Sequence, residues 1–292
     1  MIRTGKKFSK PDMSRVINGD TILNTAPEKP ETFRLDHLLV EKYPSYNRST
    51  LQKFIEAGFV AVDGKIINKS NQKFTKTAVI TLTVPEDKKN SDLSPAVIYE
   101  DDNVIVLDKP AGLLSMAKGE YCPEKTLEDY GLLVHRLDRD TSGVIILAKT
   151  PEAQTFLRKQ FQDRKAHKIY YAVTIGHPKL DEANIDLPLA RDLSRPTTFR
   201  VDASGRPAET YYKVVEHNDK YSLIELHPKT GRTHQLRVHL QYIGCPILGD
   251  RVYGEPAERL FLHAYSLEIT LPGGVRRTFT SELPKEFRDV LR

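Results

Sequence analysis

The sequence predicts an α+β protein in which a small α/β unit precedes a larger domain built on a large, mostly antiparallel central sheet. Three observations predict it. Two short apolar-periodic stretches, 33–39 and 51–55, are followed by Phe59-Val60-Ala61-Val62, the turn pair Asp63-Gly64 and Lys65-Ile66-Ile67, a strong hairpin signal. After Pro95, strand-like runs recur with hairpin-type links and few helical stretches, which is the pattern of an antiparallel sheet with helices set to one side. Between the two, Lys88-Lys89-Asn90-Ser91-Asp92 is polar, lacks an apolar anchor and is bounded by Pro85 and Pro95, so it reads as a joint. The division is therefore an arm at 1–31, a module and linker at 32–90, and a second domain at 91–292.

Residues 1–31 show no periodicity and contain Asn18-Gly19-Asp20, Pro27 and Pro30, the composition of a mobile arm. Phe33, Leu35, Leu38 and Leu39 give a short amphipathic helix that Pro44 ends. A second helix takes Ser49 as its cap, buries Leu51, Phe54 and Ile55, and stops at Gly58. The hairpin and a strand over Ala78–Val84 complete the module. The second domain opens with a hairpin, Val97–Tyr99 and Val104–Leu107 around the Asp101-Asp102-Asn103 turn, leading into Asp108-Lys109-Pro110-Ala111-Gly112. Thr150-Pro151 starts a helix in the favoured cap-then-proline order. Phe156, Leu157 and Phe161 are its expected buried stripe, with Arg158, Lys159, Arg164 and Lys165 outside. Lys168–Ile175 returns as a strand carrying Tyr170 and Tyr171, followed by strands near 211–216 and 221–226 and a last one in FLHAYSLEITL.

Composition bounds the function. With 292 residues, 39% hydrophobic and 28% charged, the chain can bury a sizeable core. Cys122 and Cys245 have no paired spacing, so neither a disulfide framework nor a structural zinc site is expected, and a reducing, cytoplasmic setting fits. No long apolar run or signal-like start appears, so no membrane role is expected. The net charge of +5 mildly favours an anionic partner without naming it.

The densest chemistry is HRLDRDTSG, residues 135–143, set between Leu132-Leu133-Val134 and Val144-Ile145-Ile146-Leu147. Two arginines and two aspartates crowded between segments bound for burial must pair with each other, with distant parts of the chain or with a ligand. Asp138-Arg139-Asp140 imitates the Asp-x-Asp of aspartate-nucleophile phosphatases. Those enzymes hold magnesium with a second acidic cluster, and none stands in GDRVYG or nearby; activity in excess chelator discriminates. His234 and His239, five residues apart, share no helix face, so structural roles are expected for them, as for His135 and His263. No cofactor and no metal are expected.

Two resemblances sharpen this. Residues 32–84, on FRLDHLL, NRSTLQKFIEAGFV and VDGK, resemble the small RNA-binding module first seen in a small-subunit ribosomal protein and called S-four-type. Asp63 replaces the common Asn and Thr77-Ala78 the usual Gly-Asp, but Asp-Gly serves the same turn. The resemblance implies phosphate contacts for Arg34, Arg48 and Lys53, the bland alternative being a solvated helix face. HRLDRDTSGVIILAK, HKIYYAV and GRTHQLRVHLQYIGCPILGD resemble the three signature motifs of RNA pseudouridine synthases of the RluA type, and DKPAGLLS and FLHAYSLEI extend the likeness over most of 97–292. The segment between Gly119 and Leu132 is shorter than is common in that family.

That resemblance implies a pseudouridine-synthase fold and a cofactor-free isomerisation of uridine in RNA. Asp138 is the implied nucleophile, attacking either the sugar or the uracil ring. Arg237 is its implied ion-pair partner; at about 4 Å such a pair gains on the order of 4 kcal/mol in an effective dielectric near 20. Tyr170 is implied to pack on the extruded base and to handle a proton. Arg136 is implied to enter the RNA stack when the base flips, against a plain pair with Asp140. Asp140, Thr141 and Ser142 are expected to shape the loop by local bonds to backbone, and Gly143 to permit the turn into the strand. The expected partner is RNA, with large-subunit ribosomal RNA favoured by analogy and transfer RNA as the alternative, acted on by a monomer. A non-catalytic RNA chaperone is the competing class, against which the retained Asp138, Tyr170 and Arg237 count.

Overall fold

A computed structural model describes residues 30–84, 92–117, 124–195 and 197–292. The arm, apart from its last two residues, most of the polar joint, and Cys122 lie outside the described residues.

The N-terminal unit runs β1 (Thr32–Arg34), α1 (Leu35–Lys42), α2 (Arg48–Glu56), β2 (Val60–Val62), β3 (Lys65–Ile66), β4 (Lys73–Thr75) and β5 (Ile80–Leu82). Leu35, Leu39, Leu51, Phe54, Ile55 and Val60 are buried together, and this cluster draws on residues of this unit alone. Removing the Phe54 ring would cost about 3–5 kcal/mol. The hairpin forms as expected: Asp63 and Gly64 both take positive φ, 49° and 78°, and Asp63 Oδ1 also accepts from Val79 N at 2.9 Å. Two expectations are corrected. Phe33 belongs to β1, paired with Phe74 of β4, and not to the first helix. The cap of α2 is Asn47, whose side chain accepts from Thr50 N, because Asn47 and not Ser49 holds the extended backbone that a cap requires.

The remaining elements are β6 (Ala96–Glu100), β7 (Val104–Lys109), β8 (Leu132–Leu133), β9 (Ser142–Ala148), α3 (Pro151–Gln162), β10 (His167–Ile175), β11 (Glu182–Asp186), β12 (Leu189–Arg191), β13 (Phe199–Val201), β14 (Glu209–His217), β15 (Tyr221–Pro228), α4 (Gln235–Tyr242), β16 (Leu262–Thr270), β17 (Arg276–Thr280) and α5 (Glu286–Asp289). Ten described strands form one sheet in the order β11-β14-β15-β10-β16-β9-β7-β6, with β17 on β16 and β8 on β9. Every pair is antiparallel except β9 with β16. The mostly antiparallel central sheet is thus as the sequence predicts. Its middle strands are buried on both faces, which is why VIILA and VIVL read as continuous apolar runs and not as alternation.

Helix α3 keeps its predicted start, with Thr150 Oγ1 accepting from Ala153 N and Pro151 in the first turn. Its buried stripe is corrected: Ala153, Leu157 and Phe161 face the sheet at four-residue spacing, while Phe156 is exposed. Gly143 is also corrected, because it lies within β9 and not in a turn. There φ is 109°, and a Cβ would stand 2.2 Å from the Ala264 carbonyl oxygen, so only glycine admits the parallel contact with β16.

Candidate active site

The loop between β8 and β9 is docked on the segment that leaves β7. Ser115 Oγ donates to Leu137 O at 2.6 Å and accepts from Leu137 N at 3.2 Å, and Arg139 Nε donates to Gly112 O. Beneath them the Lys109 ammonium, wholly buried, donates to Arg139 O at 2.7 Å and Pro110 O at 3.0 Å. Burial pushes its pKa down to about 7, opposed by the charges of Asp140 and Asp138. Not every polar group of the loop pairs as its neighbours in sequence suggest. Arg139 pairs with Glu124 at 3.0 Å, not with Asp138. Ser142 is corrected: it bonds Arg259 Nη2 at 2.6 Å and His263 Nδ1 at 2.9 Å, side chains far along the chain, and no local backbone group.

Fixed in this way, Asp138 faces a cavity of about 110 Å³ whose lining includes Arg136, Lys168, Tyr170, His234 and Arg237. Helix α4 brings in Arg237, whose Nη1 donates to Asp138 Oδ2 at 3.2 Å across 99 residues of sequence. The predicted pair is present, but it is the weaker half of a triad. Nε and Nη2 of the same guanidinium grip Asp250 at 2.7 and 2.8 Å in a bidentate fork, the Asp250 side chain having no solvent exposure. Burial alone would raise the Asp250 pKa; Arg237 and the backbone N–H groups of Val252 and Tyr253 outweigh it and hold the carboxyl below its ordinary range. Arg237 also lies over the Tyr253 ring, 5.0 Å from its centroid.

His234 reaches the site too, against the expectation of a purely structural role. It caps α4 in the left-handed region, φ 56°, a conformation that costs a bulky side chain about 1–3 kcal/mol and clusters at functional sites. The Tyr253 hydroxyl accepts from Phe199 N and lies 2.8 Å from His234 Nδ1. With its own proton given to Nδ1, the imidazole carries its hydrogen on Nε2, which stands 3.9 Å from Asp138 Oδ2. Burial lowers the His234 pKa against the pull of the Asp138 charge, which favours the neutral ring.

On the opposite wall, β10 presents Lys168 and Tyr170 on one face. The β10–β16 ladder slips by one residue between Ile169 and Tyr170, a bulge of the kind that re-aims side chains beside active sites. Among the described residues the Tyr170 hydroxyl has no hydrogen-bond partner. Burial and then the Asp138 charge push its pKa up, so it stays protonated at any physiological pH. Tyr171 points the other way and donates to Glu225 at 2.6 Å. Arg136 is exposed and makes no bond to Asp140 or to any other described residue, so the plain pairing reading fails. His239 and His263 are structural as expected, bonded to Thr210 and Leu187 and to Ser142 and Ser281. His135 accepts from Ile146 N.

In the N-terminal unit, Arg34 and Arg48 are not a freely solvated face. Both converge with Gln52 on the buried Asp36 carboxylate, at 2.8–3.1 Å. Burial would raise that carboxyl's pKa, and the three donors overcome it and lower it. The guanidiniums keep 41% and 49% of their side-chain surface exposed, enough to offer their remaining edges to a phosphate. Lys53 is exposed on α2.

Known proteins share both parts. Residues 103–242 match the family model described as RNA pseudouridylate synthase, and 33–80 match the S4 domain. A Nitrosomonas europaea protein named ribosomal large subunit pseudouridine synthase D is 33% identical, covering 99% of this chain and 93% of its own length. The chain belongs to the RNA pseudouridylate synthase family. A Borreliella burgdorferi family member of the same name is 36% identical over 89% of each chain. The solved structure of human RNA pseudouridylate synthase domain containing 1 superposes with a TM-score of 0.58 at 27% identity, covering 67% of this chain and 86% of that one. As a pseudouridine synthase, this chain isomerises uridine to pseudouridine in RNA.

The synthase site holds residues that reading by motif missed. Asp250 stands inside the quoted GCPILGD, but nothing in one dimension ties it to Arg237. Lys109, in DKPAG, carries no sign of burial in its identity. Lys168 and His234 stood inside quoted motifs, and their clue was adjacency to Tyr170 and Arg237.

Proposed function

We propose that this chain modifies uridines of large-subunit ribosomal RNA, with Asp138 as the nucleophile and residues 32–84 as an RNA-docking module joined by a linker to a catalytic domain at 91–292. The observation that carries the reading is the Asp138–Arg237–Asp250 arrangement: a carboxylate at a cavity, facing a guanidinium whose position a second, buried carboxylate fixes. The reaction breaks the bond between uracil N1 and the sugar C1′ and makes one between C5 and C1′, with the C5 proton lost to water and N1 taking one up, so that product and substrate are isomers. Asp138 forms the transient covalent bond, to C1′ or to the ring, and leaves with its electron pair, displaced by C5 as it bonds to C1′ in the first case and expelled from the ring after that bond has formed in the second. Arg237 balances its charge before attack and after departure. Tyr170 enters protonated, so its first contribution is as a donor toward the extruded uracil, with its ring supplying the stack. Arg136, held by no partner, is free to fill the gap that the flipped base leaves. Arg34, Arg48 and Lys53 contact phosphates of the docked RNA. The relatives named for the ribosomal large subunit support the substrate, and the absence, among the described residues, of a helix long and apolar enough to cross a membrane agrees with action in the cytoplasm. The enzyme acts as a monomer on this reading.

The test is to incubate the pure protein with an unmodified transcript of large-subunit ribosomal RNA and, separately, with transfer RNA transcripts, and to map pseudouridine. Conversion at discrete ribosomal positions is expected. Conversion of transfer RNA alone would overturn the substrate.

A further inference from the structure

Beside the catalytic cavity lies a wider one of about 510 Å³, within the range of roughly 300–1,000 Å³ that small-molecule sites occupy. The two share a wall made by Arg136, Lys168, Tyr170 and Arg232. Arg164 and Lys229 complete its cationic lining, and no aspartate or glutamate lines it among the described residues. Lys229 is spoken for by Glu209. The other four cations have no carboxylate partner: Arg232 gives only its Nε, to Pro207 O at 3.0 Å, and Arg136, Arg164 and Lys168 make no side-chain bond to any described residue. Arg164 sits at φ 58°, beyond the end of α3, a strained backbone for a long side chain. Like charges around one cavity repel, and burial pushes Lys168 down to about 8. An anion among them relieves both costs.

The other side of the cavity is lined by Phe161 and His135. Phe161 and His135 stack with ring centroids 4.4 Å apart and planes within 23°, and burial holds His135 neutral, with a pKa of about 3. Cations without partners, aromatic rings in the lining and room for more than an ion together describe a nucleotide. We propose that this second cavity seats the nucleotide adjoining the uridine under reaction, its phosphate among Arg164, Lys168 and Arg232 and its base against Phe161. The target uridine and its neighbour are then held on opposite sides of the Arg136–Lys168–Tyr170 wall, and splaying them apart stabilises the flipped state. The inference rests on the reading of the adjoining cavity as the uridine site.

The experiment uses the full chain and an RNA fragment spanning a position that the wild type converts, made with a neutral methylphosphonate linkage on the 5′ or the 3′ side of that uridine, or with an abasic neighbour. For the wild type, one of the two neutral linkages is expected to raise KM on the order of tenfold with kcat unchanged, as the loss of a charged hydrogen bond would. The abasic neighbour on that same side raises KM as well. Arg164→Gln, and independently Arg232→Gln, should raise KM by a similar factor on ordinary RNA. Each should lower the salt slope by about 0.7 and lose nothing further when the neutral linkage is introduced. Losses that simply add, or variants with the wild-type KM and salt slope, overturn the proposal. A wild type that converts no ribosomal uridine is a separate result: it overturns the functional reading and takes this inference with it.

Discussion

Asp250 offers the sharpest perturbation, because it touches the proposed nucleophile only through Arg237. Asp250→Asn keeps an oxygen for the backbone N–H groups of Val252 and Tyr253, 2.9 and 3.0 Å away, while it removes the charge that holds the guanidinium and replaces the oxygen that accepts from Arg237 Nε by an NH2 donor. Both partners are shielded, at 9% and 0% side-chain exposure, so solvent screening discounts little. Breaking one side of such a pair costs about 3–5 kcal/mol, and the lower figure serves as the threshold the experiment must reach. With a urea slope of about 2 kcal/mol per molar, a loss of about 3 kcal/mol moves the unfolding midpoint down by about 1.5 M. Turnover should fall as well, since Arg237 is then free to rotate away from its position 3.2 Å from Asp138. The second half of the experiment separates the two effects. Arg237→Met combined with Asp250→Asn removes the stranded cation, so stability should recover most of the loss, whereas activity should not, because Asp138 then lacks the guanidinium bonded to it. Urea unfolding and single-turnover pseudouridine formation read the two quantities independently. Asp250→Asn with the parent midpoint and rate, or a double variant with parent turnover, would refute the reasoning.

Three further outcomes follow from the same geometry. Tyr170→Phe should bind RNA normally yet turn over about a hundredfold more slowly if the hydroxyl donates in the reaction, whereas Tyr170→Ala also loses a stack worth about 1–3 kcal/mol; a Phe variant at full single-turnover speed removes the hydroxyl from the mechanism. Deleting residues 1–90 should weaken RNA binding and reduce its salt slope by about 0.9 for each duplex phosphate that the shortened chain no longer neutralises, with chemistry on saturating RNA intact; an unchanged slope would mean that the N-terminal unit does not hold RNA. Lys109 has a folded pKa of about 7, below the unfolded value of 10.5, so between these the unfolded chain binds the extra proton and stability rises with pH. Lys109→Met should remove its share of that rise across the whole interval, leaving only the share that Lys168 contributes from about 8 upward; a melting-temperature profile parallel to the parent's would contradict the buried, depressed ammonium.

Local signals were legible wherever a short stretch decides its own conformation. Asp63-Gly64 and Thr150-Pro151 fold as read because turn and cap chemistry act over two to four residues. The cap of α2 was misread by two residues, since Asn47 and Ser49 are both good caps and only the backbone chooses between them. Phe156 was misplaced because a stripe of 156, 157 and 161 and one of 153, 157 and 161 share two members, and the sheet decides which face turns inward. In the site, the motifs pointed to Asp138, Tyr170 and Arg237, and the chain brings all three to one cavity. What stayed invisible was pairing at long range. Ser142 reaches Arg259 across 117 residues and His263 across 121, and such partners are fixed by strand order, which no local pattern encodes; the pairing of Arg237 with Asp138 across 99 residues was legible only through the family resemblance. Arg34 and Arg48 show the converse: their role as ligands of Asp36 depends on that aspartate being buried, and its identity alone does not reveal it.

Asp138→Asn bears most directly on the claim that this carboxylate carries the chemistry. Its side chain is 19% exposed and accepts one bond from Arg237, so the amide fits the same space and folding should be kept. Pure variant and parent would be compared on the same unmodified large-subunit transcript, quantifying pseudouridine over time and RNA affinity in parallel. The account predicts no pseudouridine above the blank from Asp138→Asn at any time, with affinity within about threefold of the parent, the effect of a substitution that disturbs no packing. Measurable, continuing conversion by the variant would contradict it, and would move the nucleophile to another group in the cavity.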